Sequence, residues 1–179
     1  MPESKPIHTI GHSTRSIPEF VELLRFGQVE LVVDIRSVPR SRRNPAYNLD
    51  TLPAELAPYQ IGHTQIDELG GLRKKSKVIP PEVNAFWVNQ SFHNYADYAL
   101  SDEFRTGLGQ LVALAAKGRV AIMCSEAVWW RCHRRIVADY LLLEGREVAH
   151  LMGSGRAVQA RMTEAARVRQ GGLVYPAVE

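Results

Sequence analysis

Arg119-Val-Ala-Ile-Met-Cys-Ser-Glu-Ala-Val-Trp-Trp-Arg-Cys-His-Arg-Arg135 is the stretch that decides the fold. Val120 to Met123 is an apolar run short enough for a strand buried on both faces, and it gives way to polar chemistry at Cys124-Ser125-Glu126. Further on, Ile136, Val137, Tyr140, Leu141 and Leu143 carry a helical apolar spacing that Glu144-Gly145 stops. The polar cluster therefore lies between the carboxyl end of a strand and the amino end of a helix. In open parallel α/β sheets ligands bind at that junction, because exposed amides and the helix dipole favour anions and lower thiol pKa values. Both cysteines of the protein fall in this stretch.

Upstream, Ile7 to Gly11 is a first strand ending in Gly11-His12-Ser13-Thr14. Ser16 is placed to cap a helix whose apolar face is Phe20, Leu23 and Leu24 and which Gly27 ends. Leu31 to Ile35 is a second buried strand, and Arg36 to Pro45 is a loop that Pro39 and Pro45 keep out of regular structure. A short helix near Thr51 to Ala57, a third strand at Gly62 to Ile66 and a mobile basic loop over Arg73 to Lys77 follow. The aromatic residues of 82–99 read as a covering for the core, and a helix over Asp102 to Ala116 leads into the Val120 strand. A last strand at Glu147 to Met152 then turns at Gly153-Ser-Gly155 into a final helical segment near 156–169. This order predicts one α/β domain over residues 1–179, with a mainly parallel sheet of four to six strands and helices on both faces.

Composition narrows the function classes. A chain of 179 residues, 45% hydrophobic and 23% charged, can bury a core without disulfides or structural metal. A net charge of +3 permits a phosphate-bearing small molecule or nucleic acid as partner without demanding either. No apolar run reaches membrane-spanning length and no signal peptide is visible, so no membrane partner is expected. Two closely spaced cysteines do not form a secreted disulfide framework. Both are expected as thiols, unbridged, in a reducing cytoplasm.

Strand ends of a parallel sheet point the same way, so His12, Asp34, Arg36 and Cys124-Ser125-Glu126 are expected to converge on one cleft. Cys124 is the candidate nucleophile, with Glu126 or His12 as acid/base and Asp34 beside them. Arg36, Arg40, Arg42 and Arg43, with Ser41, Arg131 and Arg134, are candidates to hold an anion, because guanidinium groups bind phosphate in a bidentate way. Cys124, Cys132 and His133 offer thiolate and imidazole to a metal but lack a fourth ligand and paired spacing. No motif names a cofactor.

Three segments together carry a resemblance: Gly11-His-Ser-Thr14, Asp34-Ile-Arg-Ser-Val-Pro-Arg-Ser-Arg42, and Cys124-Ser-Glu with Cys132-His-Arg134. They resemble the signature of a prokaryotic family named domain of unknown function 488, which Leu69-Gly-Gly71 and Val148-Ala-His-Leu151 also fit. The resemblance spans nearly the whole chain and implies no defined activity. A weaker likeness, of fold only, is to rhodanese-type sulfurtransferases and cysteine-dependent phosphatases. The chain departs from a phosphatase loop, which needs Arg six residues beyond Cys where Trp130 stands here. The functional expectation is an enzyme, or enzyme-derived domain, with a thiol site for a phosphate-bearing ligand such as a nucleotide or nucleic acid. The alternative is a non-catalytic nucleic-acid-binding module gripping backbone with the Arg-rich loop and stacking bases on Trp129 and Trp130.

Overall fold

The computed structural model describes residues 5–178. Strands β1 (Ile7–Gly11), β2 (Leu31–Asp34), β3 (Gly62–Gln65), β4 (Val120–Cys124), β5 (Val148–Met152) and β6 (Arg156–Gln159) form one sheet in the order β3-β2-β4-β1-β5-β6. Strands β1 to β5 run parallel and β6 is antiparallel to β5. The central strands β1 and β4 are buried along their whole length; β4 is an unbroken apolar run, whereas β1 buries the polar His8 and Thr9, the latter bonded to His150 Nδ1 at 2.7 Å.

Helices cover both faces. On one side α1 (Ile17–Phe26) and α2 (Leu52–Leu56) pack Phe20, Leu24, Leu52 and Leu56 onto Ile10, Val32, Ala121 and Met123. On the other, α3 (Gln90–Tyr98), α4 (Asp102–Lys117) and α5 (Arg134–Leu143) pack Tyr95, Phe104, Leu111, Ile136 and Val137 onto Val33, Val120 and Ile122. Trp87 and Phe92 stack at 4.9 Å and join this second core, so the aromatic segment does cover it.

One expected element is absent from the described residues. Residues 156–169 are not helical: Arg156–Gln159 is β6, and β7 (Arg167–Arg169) pairs with β8 (Gly172–Val174) in a separate hairpin. The turn between β5 and β6 has Ser154 and Gly155 at positive φ, which reverses the chain into an antiparallel pair, and ladder bonding along β5 then outweighs helix propensity. The basic loop is tied at its start. Arg73 Nε donates to the Gly70 carbonyl at 3.0 Å and Nη2 to that of Asp67 at 2.7 Å, with the guanidinium 3.8 Å over the Tyr98 ring.

Helix α1 begins with a capping box, in which Ser16 Oγ accepts from the Glu19 N–H and Glu19 Oε1 from the Ser16 N–H. Ser16→Ala is expected to lower stability by about 1 kcal/mol, measured as a fall in the urea midpoint at unchanged slope.

Candidate functional site

Side chains alternate between the faces of a strand, and this divides the strand-end residues. Asp34 follows Val32 onto the α1/α2 side, whereas Cys124 follows Val120 and Ile122 onto the α4/α5 side. Two polar assemblies result, joined at Arg36.

The first is a buried chain of charge and hydrogen bonds. Arg36 Nε donates to Asp34 Oδ1 at 2.9 Å and Nη2 to Asp34 Oδ2 at 2.6 Å. Nη2 also donates to the Tyr47 carbonyl at 2.7 Å. His63 Nε2 meets Asp34 Oδ2 at 3.1 Å. Burial pushes the Asp34 carboxyl up, but the bonds from Arg36 and His63 and the Arg36 charge together hold it below the usual carboxylate range. His12 Nδ1 lies 2.9 Å from the Ser13 carbonyl, which can only accept, so the ring proton sits there and Nε2 accepts from Arg36 Nη1 at 3.3 Å. Burial lowers the His12 pKa, which keeps the ring neutral. Tyr47 stacks on His12 at 4.4 Å and donates its hydroxyl to the Arg15 carbonyl at 2.8 Å. Tyr47 therefore pins the loop after β2, while Val38 within that loop is 64% exposed.

The second assembly surrounds the cysteines. Arg134 is fully buried, yet no carboxylate among the described residues lies within 4.0 Å of it. Its Nη1 donates to Cys124 Sγ at 2.7 Å and to the Glu126 carbonyl at 2.6 Å, and Nη2 to the Ala127 carbonyl at 3.1 Å. Burial lowers its pKa to about 10, which still leaves it a cation at neutral pH. The Glu126 carbonyl can reach Arg134 because it occupies the space where a side chain at position 11 would stand, so residue 11 must be glycine.

The sulfurs of Cys124 and Cys132 meet as a disulfide pair, which corrects the expectation of two unbridged thiols. Spacing in sequence gives no hint of this. Cys124 ends β4, and the short turn at Trp129–Arg131 folds the chain back so that Cys132 returns to it. The Cα atoms stand 7.4 Å apart, wider than the roughly 4.4–6.8 Å usual for disulfides, so this backbone frame also accommodates two thiols in contact. Cys132 Sγ accepts from the Arg134 N–H at 3.4 Å. His133 Nε2 lies 2.9 Å from the Ile35 carbonyl, which places the ring proton on Nε2 and leaves Nδ1 as an acceptor 3.6 Å from Cys132 Sγ. Burial lowers the His133 pKa to about 4. Gly71 packs against the same ring where a Cβ would collide, which accounts for the Leu69-Gly-Gly71 segment.

Above these groups a cleft of about 390 Å³ is lined by Arg36, Cys124, Ser125, Glu126, Arg131, Cys132 and His133, with Leu72 and Phe92 as an apolar wall. Arg40, Arg42 and Arg43 are exposed on the loop beyond it, and Ser41 organises that loop by accepting from the Arg43 N–H at 3.1 Å. His12 and Asp34 lie beneath the cleft without lining it. Ser37 and Ser91 line it and were not foreseen. His63, also missed, lies on the same side of the third strand as Gln65, a placement that gains meaning only once β3 is known to lie beside β2. Trp129 stacks on His150 at 4.6 Å beneath the Arg135 guanidinium, whereas Trp130 is 46% exposed. Among the described residues no group of three or more His, Cys, Asp or Glu side chains could hold a metal ion, and no helix is long and apolar enough to cross a membrane.

Asp34→Asn leaves the Arg36 guanidinium buried without its counter-charge, at an expected cost of about 3–5 kcal/mol in urea unfolding at neutral pH. Because folding lowers the Asp34 pKa, the charged carboxylate stabilises the protein above its unfolded value of about 3.9, and that contribution is lost as pH falls through the lower folded value. The acid limb of the stability curve is therefore expected to be steeper in the parent protein than in Asp34→Asn.

No curated protein and no solved structure matches the chain. The family model described as domain of unknown function DUF488 matches residues 16–141, which include the Asp34–Arg36 assembly, both cysteines and Arg134. By that match over more than half its length, the chain belongs to the DUF488 family.

Proposed function

We propose that this protein is a cytoplasmic enzyme whose Cys124 acts as a thiolate nucleophile on a small phosphate-bearing ligand of about nucleotide size. The observation that carries the proposal is the 2.7 Å donation to Cys124 Sγ from a buried Arg134 guanidinium with no carboxylate in salt-bridge range among the described residues. A cation removed from water is stabilised most by an anion in contact, and a Cys124 thiolate supplies one. Arg134 thus serves the thiol rather than the ligand. Arg131 at the rim, the Arg36 N–H left over from its ties to Asp34, Tyr47 and His12, and the hydroxyls of Ser37, Ser91 and Ser125 suit an anionic group. Leu72 and Phe92 suit a ring or base laid against them. Glu126, exposed at the rim, is the acid/base candidate that reaches the cleft, since the accepting nitrogen of His12 is engaged by Arg36.

The binding-module alternative draws on the exposed Arg40, Arg42, Arg43 and Trp130, which lie where a polyanion could reach them. It is weakened at Trp129, whose ring is already stacked on His150.

After reduction of the cysteine pair, Cys124 is expected to alkylate with iodoacetamide at an apparent pKa below the ordinary thiol value of about 8.5. Cys124→Ser is expected to leave the affinity for inorganic phosphate and adenosine monophosphate, read by thermal shift, nearly unchanged. Arg131→Ala is expected to weaken it by about 1.5–3 kcal/mol. A slow Cys124 with an ordinary pKa, and a large loss of melting temperature in Cys124→Ser, would retire the nucleophile. Steep salt dependence of nucleic-acid binding alongside that slow thiol would decide for the binding module.

A further inference from the structure

We propose that Cys124 and Cys132 form a dithiol–disulfide centre that exchanges electrons with small anionic disulfides, Cys124 attacking the substrate and Cys132 resolving the adduct. The inference rests on the nucleophile argued above and adds the role of the second sulfur, which a single-nucleophile mechanism leaves unused. Three independent contacts distinguish the two cysteines. Cys124 is held by the Arg134 guanidinium at 2.7 Å, the arrangement that stabilises a thiolate. Cys132 has the unprotonated His133 Nδ1 at 3.6 Å, a neutral acceptor for an S–H. The Arg134 N–H, at 3.4 Å, is directed at the sulfur from which that proton would leave. The sulfurs are in contact, and both line the cleft. Arg134 Nε is buried and unpartnered, so this cation keeps unused capacity for negative charge generated beside it.

The chemistry balances without a further oxidant. Cys124 thiolate attacks one sulfur of R–S–S–R, forming a Cys124–S–S–R bond and breaking the substrate disulfide. The departing RS⁻ takes a proton from water. As Cys132 attacks Cys124 Sγ, its proton passes through His133 Nδ1 toward the departing sulfur, so that the ring never rests as an imidazolium. The bond between Cys124 Sγ and the sulfur of RS breaks, the Cys124–Cys132 disulfide forms, and the second RS⁻ leaves with the proton passed on by His133. The substrate gains two electrons and becomes two thiols, while the protein pair loses two; excess thiol drives the sequence backwards. Arg131 and Arg36 at the cleft favour disulfides that carry carboxylate or phosphate groups.

Pre-reduced full-length protein is mixed with glutathione disulfide, coenzyme A disulfide or cystamine, quenched with acid and analysed by intact mass. The parent protein is expected to lose two hydrogens and hold no lasting adduct. Cys132→Ser should trap one thiol on Cys124, and Cys124→Ser should form adduct at least tenfold more slowly. His133→Gln should form the adduct at the parental rate but close the disulfide more slowly. The two anionic disulfides should outpace cystamine by about tenfold or more, and equal rates would overturn the anionic substrate class. A lasting adduct on the parent protein, or equal reactivity of the two single-cysteine variants, would overturn the dithiol centre. If Cys124 still alkylates quickly in that case, the nucleophile stands and only the resolving role falls; if it alkylates slowly, both fall.

Discussion

Desolvation of the Arg134 guanidinium is the constraint on which the carboxyl end of β4 depends. A fully buried cation with no carboxylate within reach among the described residues must be met by neutral oxygens or by an anion it helps to create. The end of β4 supplies the sulfur of Cys124 and the chain after it the carbonyls of Glu126 and Ala127. That demand shapes the turn through Trp129–Arg131, brings Cys132 back against Cys124, and requires glycine at position 11 so that the Glu126 carbonyl can lie against β1. The backbone tightens the same region, since the His12 and Ser13 N–H groups donate to the Cys124 and Ser125 carbonyls at 3.0 and 2.9 Å.

Arg36 is the counterweight on the other face. It too is buried, but Asp34 neutralises it in a bidentate pair, with His63 holding the carboxylate and Tyr47 and His12 taking further N–H groups. At the ends of two adjacent strands, β2 and β4, the burial of an arginine is thus solved in opposite ways. The neutralised one is a structural pin for the loop that follows β2. The unneutralised one leaves positive potential at a sulfur beside a cleft.

Outside the site, the C-terminal segment is fastened by buried polar contacts rather than by the main sheet. Tyr175 donates its hydroxyl to Asp139 Oδ2 at 2.8 Å, Asp139 Oδ1 accepts from the Thr163 N–H at 2.9 Å, and the Tyr175 N–H donates to Asn84 Oδ1 at 2.9 Å. Burial pushes the Asp139 carboxyl above its usual range, in contrast to the ion-paired Asp34. These ties anchor the β7–β8 hairpin against α5 and close the second core.

By itself the sequence determined the elements whose signals are local: the buried strands beginning at Ile7, Leu31 and Val120, the Ser16 cap, the helix before Val120, and the parallel α/β class that follows from their alternation. It also located the stretch in which cysteines, arginines and a helix start coincide. Only the tertiary structure decided which of those residues meet. Strand alternation sent Asp34 and Cys124 to opposite faces, so residues grouped by their place at strand ends separated into a buried ion pair and a thiol cleft. The contact of Cys124 with Cys132, the unprotonated Nδ1 of His133 and the seat of His63 beneath Asp34 depend on loop closure and on β3 lying beside β2. Arg156–Gln159 became strand because pairing with β5 and the positive φ values at Ser154 and Gly155 prevailed over local propensity, and Arg167–Arg169 pairs instead with β8. Periodicity records which side of its own element a residue occupies, while strand order and register arise from contacts distant in the chain, and those contacts are what set one side chain against another.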